Sequence, residues 1–449
     1  MKKNISVIIN KKIKKFNKSI KVTADKSLSL RALLLASQCI GISSIRNLLE
    51  SEDVLNCLKA LKTLGVKIEK KNNIYLVYGN GLNSFKTKKK LTKIFVGNSG
   101  TTARLLSGLL STHSDKFYLY GDKSMNKRDM SRVIEPLKKI GCFFYPKKKS
   151  TLPLTIEGTS MPLAQKHIEK KGSSQVKSLI ILSALSTPGI TSIEEKKISR
   201  NHTELFLKKI NADIKVKKLK KGNLITLRGQ KNLYAFNYTV SSDPSSAAFL
   251  IALTLLTPNS KLKIKNVNCN STRIGFLKIL KDKMNANIKV KNIKKVFGET
   301  VGTIVVKSSS LKPAKCPRKI VPFLIDEFCI LFVMSSLIKG VSKFTGINEL
   351  RHKESDRIKS METGLNKIGI KTISTKDSLK IYGNPNIKIN KKLNFFSHGD
   401  HRVAMSWFIL GLLVGGKFAI HNFETVKTSF PNFLSLIKHI GGKFEVKKK

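Results

Sequence analysis

Val54–Ile68 reads VLNCLKALKTLGVKI, and this stretch decides the architecture. Leu55, Leu58, Leu61 and Leu64 recur at helical spacing, Gly65 stops the helix, and Val66 and Ile68 open an alternating strand. The same order returns at Gly141 (PLKKIGCFFY), Asn211 (FLKKINADIKV), Asn285 (LKDKMNANIKV), Gly369 (GLNKIGIKTI) and Gly441 (LIKHIGGKFEV). Gly and Asn tolerate the left-handed conformation at a helix C-terminus. Lysines crowd the last turns, where they suit the helix dipole. Helix–Gly–strand is common in any α/β protein. Six recurrences at intervals of about 70–84 residues argue further, for six βα modules.

The 449 residues, 41% hydrophobic, can bury a substantial core and suggest two or three domains. Apolar residues recur throughout, which excludes a disordered chain. Stretches such as Phe408–Gly415 are too short to cross a membrane. Met1–Lys15 holds lysines but no continuous apolar run, so no secretory signal is expected. Six cysteines (Cys39, Cys57, Cys142, Cys269, Cys316, Cys329) form no CxxC pair, which points to a reducing cytoplasm rather than a disulfide or zinc framework. The net charge of +57 invites a nucleic-acid reading. The basic runs are spread along the chain (Lys11–Lys15, Lys86–Lys93, Lys217–Lys221, Lys291–Lys295, Lys447–Lys449), and lysine, Asn and Ile share AT-rich codons. Solvated lysine faces are the preferred reading, and their field would also attract small anions.

Several stretches carry chemistry. TADKSLSLRALLLAS (Thr23–Ser37) sets Lys26 and Ser27 just before a helix and Arg31 four residues beyond Ser27, either an anion site at a helix N-terminus or an ordinary capped helix. VGNSGTTARLL (Val96–Leu106) is a strand, a small-residue turn and a helix bearing Arg104, without the Gly-Lys-Ser/Thr of a Walker loop. GDKSMNKRDMSRVIEP (Gly121–Pro136) places Arg128 and Arg132 four apart, and in GSSQVKSLIILSAL (Gly172–Leu185) Ser173, Ser174 and Gln175 precede an apolar helix. In PFLIDEFCILFVMSSL (Pro322–Leu337), Asp326 and Glu327 interrupt an apolar run, where a carboxylate serves either a buried salt bridge or proton transfer. RHKESDR (Arg351–Arg357) surrounds Glu354 and Asp356 with cations, and on one helical turn Lys353, Glu354 and Arg357 would meet. Asp400 is a candidate N-cap ahead of His401 and Arg402. Basic and small polar groups at helix starts fit two phosphorylated metabolites, with the carboxylates moving protons.

On DKSLSLRALLLAS, GNSGTTARLL, GDKSMNKRDMSRV, SSQVKSLIILSAL, DPSSAAFLIA, LIDE, ELRHKESDRI, DHRVAM and SFPNF, in that order, the chain resembles the 3-phosphoshikimate 1-carboxyvinyltransferase (enolpyruvyl-shikimate-phosphate synthase) family. The resemblance implies an α/β (α+β) fold, a two-domain inside-out barrel with three βαβαββ repeats in each domain. Residues 25–241 would form one domain and residues 1–24 with 242–449 the other, with the active site in the cleft between them. The implied reaction belongs to chorismate and aromatic amino-acid biosynthesis. It transfers the enolpyruvyl group of phosphoenolpyruvate to the 5-hydroxyl of shikimate 3-phosphate and releases phosphate, through a tetrahedral intermediate and without metal or organic cofactor. Lys26, Ser27, Arg31, Ser173, Ser174, Gln175, Asp326 and Lys353 would bind shikimate 3-phosphate. Lys26, Gly100, Arg128, Gln175, Arg357 and Arg402 would bind phosphoenolpyruvate. Asp326, Glu354 and Lys26 would be catalytic, Asp326 accepting a proton and Glu354 delivering one to the methylene carbon. A cytoplasmic monomer without nucleic-acid or membrane partners is expected.

Some positions depart from the family's pattern. Thr23-Ala24 replaces the usual Pro-Gly, Leu30 stands where His or Asn is commoner, Asp129 replaces a Pro beside Arg128, and Lys427 lies one residue off a lysine of the phosphoenolpyruvate site. Competing readings are the UDP-N-acetylglucosamine enolpyruvyl transferase, a basic nucleic-acid-binding module and an inactive member. RNHTE (Arg200–Glu204), GDKS and NSTR (Asn270–Arg273) resemble the subgroup tolerant of glyphosate. Weak inhibition is therefore the expected outcome of a glyphosate titration, and a submicromolar inhibition constant would contradict it.

Overall fold

The computed structural model describes residues 5–87 and 90–448. Met1–Lys15, Lys86–Lys93 and Lys447–Lys449 therefore lie partly outside the described residues. The chain forms two compact units. One takes Ala24–Ser241 with Lys295–Glu299; the other runs up to Thr23 and takes Ser242–Lys294 and Thr300 onward.

Six sheets are built among the described residues, three in each unit, and one pairing scheme recurs. In the sheet of Leu91–Phe95, Lys116–Tyr120, Leu154–Glu157 and Phe143–Tyr145, the first pair is parallel and the next two are antiparallel. The sheets opening with Lys166–Glu169 and Lys315–Cys316 repeat it. Distant segments complete three others. Leu233–Tyr234 and Asn237–Thr239 add the leading strand beside Cys39–Arg46. Asn17–Ile20 does so beside Lys261–Asn268, and Ile5–Ile9 lies between Phe418–His421 and Glu445–Lys448.

Each repeat has two kinds of helix. The first is buried nearly all round: Lys26–Ala36, Gly100–Leu110 and Ser174–Ala184 in one unit, Pro244–Leu256, Phe328–Ser336 and His401–Val414 in the other. An apolar helix without a polar face must lie inside, with the sheets around it. The second helix is amphipathic and is the one the opening pattern picks out. All six stops at its end are left-handed: Gly65 (φ 84), Gly141 (108), Asn211 (75), Asn285 (59), Gly369 (81) and Gly441 (95).

The buried face of the Glu52–Thr63 helix differs from the leucine stripe. It is Asp53, Val54, Cys57, Ala60 and Leu61, while Leu55 is 37% exposed. Three-residue steps fall short of a full turn, so by nine residues Leu55 and Leu64 face opposite ways.

The last carbonyls of a helix lack partners within it, and in five repeats the chain just past the closing strand supplies one. Thr159 N donates to Ser111 O (3.0 Å), Gln230 N to Leu185 O (2.7 Å), Ser309 N to Leu255 O (3.0 Å), Asn384 N to Ser336 O (2.9 Å) and Ile13 N to Leu412 O (2.8 Å). This approach leaves no room for a side chain beforehand. A Cβ at Gly158, Gly229 or Gly383 would lie 2.5, 2.5 or 2.4 Å from a carbonyl oxygen of the helix end (Leu110, Ala184, Ser335) and closer still to one in the turn that follows, and one at Gly79 would lie 2.2 Å from Cys39 O. Gly158→Ala is predicted to cost about 3 kcal/mol or more, at the upper end of overpacking. Gly369→Ala meets no atom within 4 Å and carries only its left-handed backbone strain, about 1–2 kcal/mol. Urea denaturation of the two variants checks this, and equal losses would contradict it.

Candidate active site

In the unit of Ala24–Ser241, three buried helices begin close together. Asp25 caps the first, accepting from Leu28 N at 2.9 Å, so Lys26 and Ser27 lie within its first turn rather than before it. The Lys26 ammonium is 2.9 Å from Asp53 Oδ2. One turn on, buried Arg31 donates from Nε to Thr203 Oγ1 (2.9 Å), from Nη1 to Ser27 O (3.1 Å) and from Nη2 to Ser178 Oγ (3.1 Å). Burial pushes its guanidinium down to about 10, against the attraction of Glu204 and Asp25.

Ser99 caps the second helix and Ser173 the third, which places Ser174 and Gln175 inside the latter's first turn. Gln175 joins the two, donating to Thr101 Oγ1 at 2.8 Å and accepting from Arg104 Nη1 at 2.8 Å. A Cβ on Gly100 would stand 2.7 Å from Arg104 Nη1 and 3.1 Å from Arg128 Nη1. Gly100 is thus the gap that lets two guanidinium groups approach one helix start. Arg128 donates from Nη2 to Asn98 Oδ1, which Asp122 holds through a 2.8 Å bond from Asn98 Nδ2. Its buried Nε has no hydrogen-bond partner. The Asp129 carboxylate turns aside to accept from Ser131 N (2.9 Å) and Oγ (2.6 Å). Burial pushes this carboxyl up, but those bonds and Arg132 outweigh it, leaving it below the usual range.

The other unit separates the two carboxylates of LIDE. Glu327 is buried, and its Oε1 accepts from Arg273 Nη1 at 2.9 Å and from Ser245 Oγ. Asp326 stays one-fifth exposed, its Oδ1 3.8 Å from Arg357 Nη1 and 3.7 Å from Arg402 Nε. The salt-bridge reading therefore fits Glu327, and Asp326 has the setting a proton-transfer group needs. Arg402 also donates from Nη1 to Asp326 O at 3.0 Å, and its own N–H is capped by Asp400 at 2.9 Å.

Arg357 is buried against Asp400 (Nε to Oδ2, 2.8 Å) and donates from Nη2 to Glu354. Burial works against its charge, yet Asp400 and Glu354 hold the guanidinium well above the usual arginine value. Glu354, Asp400 and His401 offer ligand atoms within 4.8 Å of one another, but Arg357 already bonds both carboxylates. Desolvation lowers the Lys353 ammonium, opposed by Asp326 and reinforced by Arg357. Residues 353–357 do not form one helical turn. Lys353 is extended, and the helix starts at Arg357 with Asp356 as its cap, accepting from Lys359 N at 3.0 Å. Glu354 lies before the helix and still reaches Arg357 in its first turn, while Asp356 caps that turn through Lys359 N.

The sequence-derived candidates thus fall into two sets. Lys26, Ser27, Arg31, Gly100, Arg128, Ser173, Ser174 and Gln175 lie at helix starts or turns of one unit; Asp326, Lys353, Glu354, Arg357 and Arg402 cluster in the other. Asp53, Asn98, Thr203 and Asp400, which hold these cations, were not among the candidates. Asp400 gave a sequence signal as a cap, and Asn98 and Thr203 lay inside the VGNSGTTARLL and RNHTE stretches without being singled out. The cysteines are all free and buried, with thiols pushed up to about 11 or 12 by desolvation, so none is a nucleophile.

A family model described as EPSP synthase (3-phosphoshikimate 1-carboxyvinyltransferase) matches residues 10–437. The 3-phosphoshikimate 1-carboxyvinyltransferase of Vesicomyosocius okutanii is 39% identical over 423 residues, covering 94% of this chain and 95% of the relative. That of Zymomonas mobilis is 36% identical over 443 residues, 98% and 97% of the two chains. A solved EPSP synthase from Acinetobacter baumannii superposes with a TM-score of 0.84 at 36% identity, covering 99% of this chain and 100% of that one. The enolpyruvyl transferase NikO from Streptomyces tendae, with a TM-score of 0.76 at 11% identity over 100% of both chains, shares the fold alone. The chain belongs to the EPSP synthase family of enolpyruvyl transferases and shares its two-domain inside-out α/β fold.

Proposed function

We propose that the chain transfers the enolpyruvyl group of phosphoenolpyruvate to the 5-hydroxyl of shikimate 3-phosphate. In this reading Lys26, Ser27, Arg31, Ser173, Ser174 and Gln175 hold shikimate 3-phosphate, with Asp326 and Lys353 contributed by the other unit. Lys26, Gly100, Arg128, Gln175, Arg357 and Arg402 hold phosphoenolpyruvate. The reading takes the cytoplasm as the compartment, which free thiols suit, and a single chain as the working unit.

The observation that carries it is Asp326, a one-fifth exposed carboxylate within 4 Å of two guanidinium groups. Asp326 takes the proton of the 5-hydroxyl as its oxygen bonds C2 of phosphoenolpyruvate, while Glu354 protonates C3. The tetrahedral ketal then loses a proton from C3, the C2–O bond to phosphate breaks with its electron pair leaving on phosphate, and the double bond re-forms. Arg128, Arg357 and Arg402 stabilise the anions throughout, and cations already fixed by carboxylates need no reorganisation.

Three outcomes follow. Phosphate release should require shikimate 3-phosphate, and release with UDP-N-acetylglucosamine instead would contradict the substrate assignment. Asp326→Asn should lower kcat by about 10²–10⁴ with an unchanged unfolding midpoint; wild-type turnover would remove its role. The lowered Lys353 pKa makes this ammonium deprotonate before an ordinary lysine. The kcat/KM for shikimate 3-phosphate, which reports the free enzyme, should therefore fall as pH rises through that lowered value. In Lys353→Arg the fall should move to higher pH, because arginine stays charged. The contribution of Lys353 to stability cannot mimic it. Between the lowered and the ordinary lysine value the unfolded chain binds more protons, so this group adds stability as pH rises. A fall at the same pH in both proteins would contradict the assignment.

A further inference from the structure

Arg31 is held differently from Arg273 and Arg357. Those two guanidinium groups bond carboxylates, Glu327 in one case and Asp400 in the other. All three hydrogen bonds of the Arg31 guanidinium go instead to neutral oxygens, Thr203 Oγ1, Ser27 O and Ser178 Oγ. Glu204 and Asp25 attract its charge and Arg200 opposes it, none of them bonded to it. A guanidinium only donates, so both hydroxyls accept from it. Nε and Nη2 share one edge of the planar group, and the hydroxyl pair spans that edge, its oxygens 2.6 Å apart in a bond of their own. One N–H on each terminal nitrogen is left over, enough for a two-point contact with an oxyanion.

The hydroxyl pair is itself pinned. Ser178 lies one turn beyond Ser174 in the Ser174–Ala184 helix, and Thr203 lies in the His202–Leu207 helix. Beside them, Lys177 meets Glu204 at 2.8 Å and Glu195 at 2.7 Å. All five side chains are buried. The ion pair ties the two helices one residue away from each hydroxyl, so their spacing is set before any ligand arrives. We propose that Ser178 and Thr203 are positioning residues for shikimate 3-phosphate, whose paired hydroxyls aim the Arg31 guanidinium at the ligand and leave its charge unneutralised. This rests on the reading of Arg31 as a ligand of that substrate. A carboxylate in their place would orient the guanidinium too, but would also cancel its charge. A buried cation without a bonded anion is unfavourable by itself, and the bound substrate supplies the anion. Its orientation, fixed beforehand, lowers the cost of binding.

The test is titration calorimetry of the full-length enzyme with shikimate 3-phosphate, beside kcat, both KM values and the thermal midpoint. Thr203→Val keeps the shape and removes the hydroxyl. It should weaken binding about 10- to 100-fold, as loss of a hydrogen bond to a charged group does. The KM for shikimate 3-phosphate should rise in proportion, with kcat and the phosphoenolpyruvate KM within about threefold, the pattern of lost uniform binding. Thr203→Ser restores the hydroxyl and should bring affinity back to within about threefold of wild type. Ser178→Ala should act in the same direction as Thr203→Val, and it serves if that variant does not fold. In an Arg31→Met background either substitution should change affinity by less than about twofold, because its effect passes through Arg31. Wild-type affinity in Thr203→Val and Ser178→Ala, with or without a lower thermal midpoint, overturns the proposal. So does a loss that persists undiminished in the Arg31→Met background. Failure of the wild-type enzyme to bind shikimate 3-phosphate would defeat the reading of the site itself, and the proposal with it.

Discussion

A helix leaves its first N–H groups and last C=O groups without partners, and six buried helices make that constraint govern this molecule. At the C-terminal ends of five of them a carbonyl takes an N–H group from the chain just past the closing strand of the same repeat, as Ser111 O does from Thr159. That bond draws strand and helix together so closely that only glycine fits at positions such as Gly158 and Gly229. At their N-terminal ends the N–H groups are capped only in part, by Asp25, Ser99, Ser173, Asp243 and Asp400. The positive ends that remain, with the cations beside them, suit phosphorylated acids. One property of helices accounts for the repeat at one end and the site at the other.

Charge is distributed accordingly. Only 28 acidic residues oppose 85 basic ones, yet several of the acids lie beside the candidate binding cations. Asp53 meets Lys26, Asp400 and Glu354 meet Arg357, and Asp122 reaches Arg128 through Asn98. A desolvated guanidinium needs a partner to stay charged and oriented. The surplus lysines lie mainly elsewhere, on outward strand positions such as Lys215, Lys263 and Lys289.

The repeat was legible in the sequence because its marks are local. A left-handed stop needs Gly or Asn, and all six stops proved left-handed. The leucine stripe misled at Leu55 because three-residue spacing drifts around a helix. LIDE told of a carboxylate out of place but not which of two tasks each carboxylate had. That depends on Arg273, 54 residues from Glu327, and on Arg357 and Arg402, which no local pattern links to Asp326. Lys353–Arg357 read as a helical turn because the spacing allowed it, and Asp356, by capping the next helix, broke the turn. The site motifs could be read from residue types at helix starts; the bonds that orient them join segments that no local pattern links, those of Arg31 to Ser178 and Thr203 spanning 147 and 172 residues.

The central proposal is that these helix-start groups hold the two anions and that Asp326 takes the proton of the 5-hydroxyl. A crystal structure of the enzyme with shikimate 3-phosphate and an unreactive phosphoenolpyruvate analogue tests it most directly. The account predicts the first ligand against Ser173, Ser174 and Gln175, its 5-hydroxyl within hydrogen-bond reach of Asp326, and the second between Arg128, Arg357 and Arg402. Ligands bound to one unit alone, with Asp326 out of reach of the hydroxyl, would contradict it.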